Sequence, residues 1–192
     1  DKAIDVLSSL HAGQAPWFLN LWFYAPHNPV QPASEFAAKY PDTPAGRYQA
    51  LVNQLDTNIG RIVAHLEDIG ALENTIVIVV SDNGGTNESV NNNAPFHGAK
   101  MMLTEGGLRT PLIIKWPDSS LNGQLIADSV SIEDIYPTVL ESIGIAPPDN
   151  LDGNSFYKTI QQLEPITPKA KFWDHVMTTS MISYGMLSAD NR

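Results

Sequence analysis

Asp82 and Asn83 follow the run TIVIVV (75–80) after a single serine, and Gly84 and Gly85 come directly behind them. A carboxylate beside an amide oxygen, with no cysteine and little histidine nearby, is hard-oxygen chemistry suited to Ca²⁺ or Mg²⁺. Asp, Asn and Gly are also the usual turn residues, so a plain turn is the rival reading of this stretch alone. Lys100 lies in HGAKMMLTEGG (97–107), an apolar, glycine-flanked setting that is unusual for a solvated ammonium. His27 stands among prolines in APHNPVQP (25–32), where a lone histidine is more often a loop residue. His97, three residues before Lys100, reads first as a loop residue that could also reach a substrate. A fixed ammonium stabilises charge gathering on an anion's oxygens, and an imidazole can donate to a leaving atom.

These residues need a scaffold. WFLNLWFY (17–24) is short, aromatic and bounded by prolines, which predicts a strand running into a stiffened loop. Leu51, Leu55, Ile59, Ile62, Leu66 and Ile69 recur at helical spacing, with Gln54, Arg61, Glu67 and Asp68 mostly on other faces. Gly70 suits the left-handed residue after such a helix. His65 reads as solvated on it, and Asp56 as a buried hydrogen-bonding residue. Strands follow at Thr75–Val80 and within RTPLIIKWP (109–117). SIEDIYPTVLESIG (131–144) turns helical in its later part, with Pro137 near the first turn. This order predicts an α/β domain with a largely parallel sheet flanked by helices, whose ligands gather at the carboxyl ends of the strands. Asp82 and Asn83 sit at such an end. Past IAPPDNLDGNSF (145–156) the pattern weakens, and residues 172–189 read as the start of an antiparallel subdomain. The expected division is 1–165 and 166–192. TNESVNNN (86–93) reads as a polar loop.

A chain of 192 residues with 43% hydrophobic content can bury a substantial core. The net charge of −10 argues against a general nucleic-acid binder. No apolar run approaches the roughly 20 residues needed to cross a bilayer. The absence of cysteine excludes disulfides, thiolate metal sites and a cysteine nucleophile within the chain.

Several separated motifs agree in order and spacing over roughly residues 15–160. PWFLNLWFYAPHNPVQP, YQALVNQLDTNIGRIVAHLEDIGALENTIVIVVSDNGG, GAKMMLTEGGLRTPLIIKWP and SIEDIYPTVLESIGI together resemble the sulfatases of the alkaline-phosphatase-like superfamily. The resemblance implies that Asp82 and Asn83 hold a divalent cation, usually calcium, with magnesium the alternative. It implies that His27 touches the sulfate or its leaving oxygen, and that Lys100 binds the sulfate. Arg109, in EGGLR, reads as structural. The implied reaction is hydrolysis of a sulfate ester on a small molecule or glycan, in a periplasmic or secreted protein.

One part of the pattern is absent. Sulfatases carry a formylglycine made from Cys or Ser in a motif C/S-x-P/A-x-R. The residues four before each arginine are Thr43, Thr57, Glu105 and Ser188, and SADNR (188–192) has Asp190 where Pro or Ala is needed. The paired-Asp strand that supplies the family's other metal ligands is missing too. The expectation is therefore the C-terminal part of a sulfatase catalytic domain, inactive alone, with the formylglycine upstream and with apolar surface left to self-associate. Two alternatives stand beside it. One is a phosphate-ester hydrolase or transferase of the same superfamily, though Asn83, where many of those have His, favours a single metal. The other is a non-catalytic module binding a sulfated glycan or a protein. On the sulfatase reading, Asp82, Asn83, Lys100 and His27 converge.

Overall fold

A computed structural model describes residues 1–86, 93–162, 164–166, 170–178 and 181–187. Most of the polar loop expected at 86–93 lies outside these residues, as does the end of the expected 172–189 segment. The described residues fall into two compact units. The first is drawn from Asp1–Ile76 and Gly85–Asn92, the second from Val77–Gly84 and Asn93–Arg192.

Helices build the first unit: α1 (Lys2–Ala12), α2 (Ser34–Ala37) and α3 (Pro44–Asp68). The apolar spacing predicted α3, and its start is set locally. Thr43 is extended and its side chain accepts from the Gly46 amide at 3.0 Å, while Pro44 takes a first-turn position that needs no amide donor. Gly70 ends it at φ +69°. Leu51 and Leu66 of α3 are buried, as are Leu7 of α1 and Phe36 of α2. Each contributes about 1.5–3 kcal/mol when fully removed from water. α1 was not expected; its signal was Ile4, Leu7 and Leu10 at helical spacing.

Polar contacts complete this packing and correct two expectations. His65 is not simply solvated, because its Nε2 meets Ser8 Oγ of α1 at 2.8 Å. Asp56 is exposed rather than buried. The Ala33 amide donates to Gln54 Oε1 at 2.8 Å, tying the start of α2 to α3.

The segment 17–24 is not a hydrogen-bonded strand, contrary to expectation. Its burial still alternates, with Trp17, Leu19 and Leu21 half-buried and Phe18, Asn20 and Trp22 exposed. Among the described residues no strand pairs with it, and a lone strand cannot close a ladder.

In the second unit β1 (Val77–Val80) pairs antiparallel with β2 (Leu112–Lys115), Val80 opposite Leu112. Between them lies the short α4 (Glu105–Leu108). The parallel sheet expected from the strand–helix–strand order does not appear among the described residues. β1 and β2 are neighbours joined by a long loop, and the segment preceding α3 forms no ladder. Neither strand is fully buried.

A 3₁₀ turn (Ile132–Asp134) then leads into α5 (Ile135–Ser142), with Pro137 buried near its start as the sequence predicted. α6 (Tyr157–Ile160) follows, and β3 (Lys171–Thr178) and β4 (Met181–Leu187) form an antiparallel hairpin. Asp134 organises this end of the unit and is only 5% exposed. One carboxylate oxygen accepts from the Ser131 amide (2.7 Å) and the other from the Asn154 amide (2.8 Å), while the Lys171 ammonium of β3 sits 3.0 Å from the first. A buried charge of this kind is tolerated because it is paired and its lone pairs are used.

Candidate active site

In the second unit main-chain hydrogen bonds draw the loop after β1 onto α4. The Gly84 amide donates to the Gly107 carbonyl at 2.9 Å, and the Gly106 amide donates to the His97 carbonyl at 2.8 Å. Side chains are excluded from these contacts. A Cβ at Gly84 would stand 1.9 Å from the Gly106 oxygen, and one at Gly106 would stand 2.2 Å from the Gly98 oxygen. A Cβ at Gly107 would meet the Met102 and Ala99 oxygens at 2.1 and 2.5 Å. The glycines of DNGG, HGAK and EGG are thus the points where three sequence motifs touch. They bring Asp82 and Asn83, His97 and Lys100, and the Glu105 turn into one loop cluster.

Within this cluster Asp82 is exposed and Asn83 half-buried. Asn83 Nδ2 donates to the Gly84 carbonyl at 2.8 Å, which orients the amide and leaves its Oδ1 with no hydrogen bond among the described residues. A carboxylate and a free amide oxygen on one turn fit a hard cation as part of a coordination sphere. Calcium takes six to eight oxygens, so these two residues are a partial set. Among the described residues no group of three or more His, Asp or Glu stands together to complete it.

Lys100 is half-buried and lies within ion-pair distance of no described carboxylate. Arg109 is committed elsewhere: its guanidinium lies 4.4 Å over the Phe96 ring and 3.2 Å from Glu105 Oε1. It pins the loop before His97 to α4. The His97 side chain is exposed, and its carbonyl serves the backbone contact to Gly106. A further support was not foreseen from sequence. Gly185 of β4 comes close enough to Leu103 that an added Cβ would sit 3.2 Å from that residue's Cβ. The C-terminal hairpin therefore leans on the loop that carries Lys100.

His27 belongs to the first unit and is exposed. Its amide donates to the Tyr24 carbonyl at 2.9 Å, closing a turn, and its Nδ1 lies 2.8 Å from the Asn28 carbonyl oxygen. The Tyr24 ring stands 5.3 Å away, tilted by 55°.

The family model named Sulfatase matches residues 1–145, and the chain belongs to that family. The N-acetylgalactosamine-6-sulfatase of Mus musculus is 34% identical over 165 residues, which cover 83% of this chain and 31% of that protein. The chain thus spans about a third of the length of the curated relatives it matches. Among solved structures, Ps i-CgsB in complex with k-i-k-neocarrahexaose is 26% identical, with a TM-score of 0.88 over 97% of this chain and 43% of its own. A protein in complex with its substrate D-glucosamine-2-N,6-O-disulfate is 27% identical, with a TM-score of 0.54, covering 76% of this chain and 31% of its own. These neighbours have the alkaline-phosphatase-like fold. No helix among the described residues is long and apolar enough to cross a membrane.

Proposed function

We propose that this chain supplies the sulfate-binding and part of the metal-binding machinery of a sulfuric ester hydrolase acting on a sulfated saccharide. The observation that carries the reading is the glycine-knit cluster, which holds on adjoining loops a hard-oxygen pair and an ammonium that lies within ion-pair distance of no described carboxylate. The substrate class rests on the relative named as an N-acetylgalactosamine-6-sulfatase and on the neighbour bound to a disulfated glucosamine.

In this reading Lys100 holds the sulfate oxygens and balances the charge that grows on them as the S–O bond is attacked. His27 serves the bridging oxygen, donating a proton as the alcohol departs. His97 is a further contact to substrate. Asp82 and Asn83 would hold calcium, or magnesium in its place. When bound, the cation supplies fixed positive charge that polarises the sulfate. The nucleophile is not among these 192 residues, since the motif for a formylglycine is absent from them. It comes from outside them.

Hydrolysis of a chromogenic aryl sulfate by the natural full-length protein tests the reading. We expect turnover that a chelator abolishes and added calcium restores. Absence of any turnover with calcium present would sink it. The 192-residue chain alone is expected to show none, and metal-dependent turnover by it that Lys100→Ala removes would overturn the view that the nucleophile lies elsewhere.

A further inference from the structure

We propose that Tyr24 is a positioning residue that decides which ring nitrogen of His27 meets the substrate; the inference rests on the role given to His27 above. Two donors converge on one acceptor. The Tyr24 hydroxyl donates to the Asn28 carbonyl oxygen at 2.5 Å, and His27 Nδ1 lies 2.8 Å from the same oxygen. A carbonyl oxygen only accepts, and its two lone pairs suffice for both partners. The contact to His27 therefore requires a proton on Nδ1. In the neutral ring that leaves Nε2 with its lone pair, and Nε2 carries hydrogen only in the imidazolium.

The consequence is chemical. A neutral His27 held this way cannot donate to a bridging oxygen, but the imidazolium can, through Nε2. As the nucleophile from outside these residues bonds to sulfur and the S–O bond breaks, that bond's electron pair stays on the leaving oxygen and the Nε2 proton moves there. The ring is then neutral, with its remaining proton still on Nδ1 against Asn28.

Tyr24 stabilises this state from two sides. Its own carbonyl accepts the His27 amide at 2.9 Å, so the turn is closed at its base. Its hydroxyl reaches across the same turn and fixes the direction of the Asn28 carbonyl. Burial does not explain the tyrosine, since it is 68% exposed. The polar tip is what engages the turn.

The test needs neither substrate nor nucleophile. Histidine in the full chain is labelled with ¹⁵N in the ring, and the His27 signals are assigned by their loss in His27→Gln. In the neutral ring, two-bond proton–nitrogen correlations should show a protonated Nδ1 and an unprotonated Nε2. In Tyr24→Phe the two nitrogen shifts should move toward one another as the tautomers mix. A protonated Nε2 in the unsubstituted chain overturns the inference, and so does a Tyr24→Phe spectrum identical to it. The unsubstituted spectrum decides the tautomer even if Tyr24→Phe does not fold. An Nε2–H spectrum would leave the sulfatase reading standing, whereas a full-length protein without sulfate-ester turnover would fail that reading and leave the spectrum as predicted.

Discussion

The loops of residues 81–86 and 93–109 and the segment of residues 17–29 both carry candidate site residues, and they are built in opposite ways. In the first, backbone touches backbone through glycines, and no side chain fits at the points of contact. In the second, an aromatic segment leaves Phe18 84% and Trp22 90% exposed, and the His27 turn is closed by tyrosine and histidine contacts. The difference shows where sequence change can be absorbed. A main-chain contact at van der Waals distance has no tolerance for an added carbon, whereas an exposed aromatic contributes little to the stability of the unit that bears it.

The largest expected effect breaks the first kind of contact. Gly106→Ala should destabilise the chain by at least about 3 kcal/mol, because an added Cβ would lie 2.2 Å from the Gly98 carbonyl oxygen and two backbone segments must part. Denaturant unfolding measures this. A loss under about 1 kcal/mol would show that the cluster yields and that the comparison is overdrawn.

Next comes chemistry without loss of fold. Lys100→Ala in the full-length protein should lower kcat/KM for an aryl sulfate about 100-fold or more, roughly 2.7 kcal/mol of transition-state stabilisation, with the unfolding midpoint little changed. A variant with full activity would return Lys100 to being a solvated charge.

The exposed segment should behave differently. Trp22→Ser ought to change unfolding free energy by no more than about 0.5 kcal/mol. It should also reduce the self-association expected of the chain when made alone, since large exposed apolar patches invite it. Light scattering across a concentration series would show this. A compact monomer before and after the substitution would remove self-association from the picture.

The smallest effect has the opposite sign. Gly60 lies inside α3, and nothing would stand within 4 Å of a Cβ added there. Gly60→Ala should therefore stabilise by about 0.5–1 kcal/mol, through helix propensity and a less free unfolded chain. The same substitution thus costs or gains according to what the missing carbon would meet.

Much of this was readable from residue order. The spacing Leu51 to Ile69 predicted α3, because one face of a 3.6-residue period must be apolar to pack, and Gly70 marked its end as a left-handed residue. Pro137 in the first turn of a helix and strands around Ile78 and Ile113 were equally legible from local chemistry. The motifs around Asp82, Lys100 and Glu105 were each visible, and their order identified the family.

Sequence alone could not say that the first of these strands pairs antiparallel with the second, nor that residues 17–24 lack a ladder. Pairing depends on which partner is present, and alternation specifies only a face. Nor could it show that Asp134 meets Lys171 across 37 residues, that His65 reaches Ser8, or that Asp56 is left exposed. Those are long-range contacts with no local period to announce them. The sequence by itself determined the helix, the glycines and the chemistry of the candidate ligands, because these follow from propensity and functional group. Only the tertiary structure decided that Gly84, Gly98, Gly106 and Gly107 close on one another and gather three motifs into one cluster, because close approach of distant backbone is a property of packing.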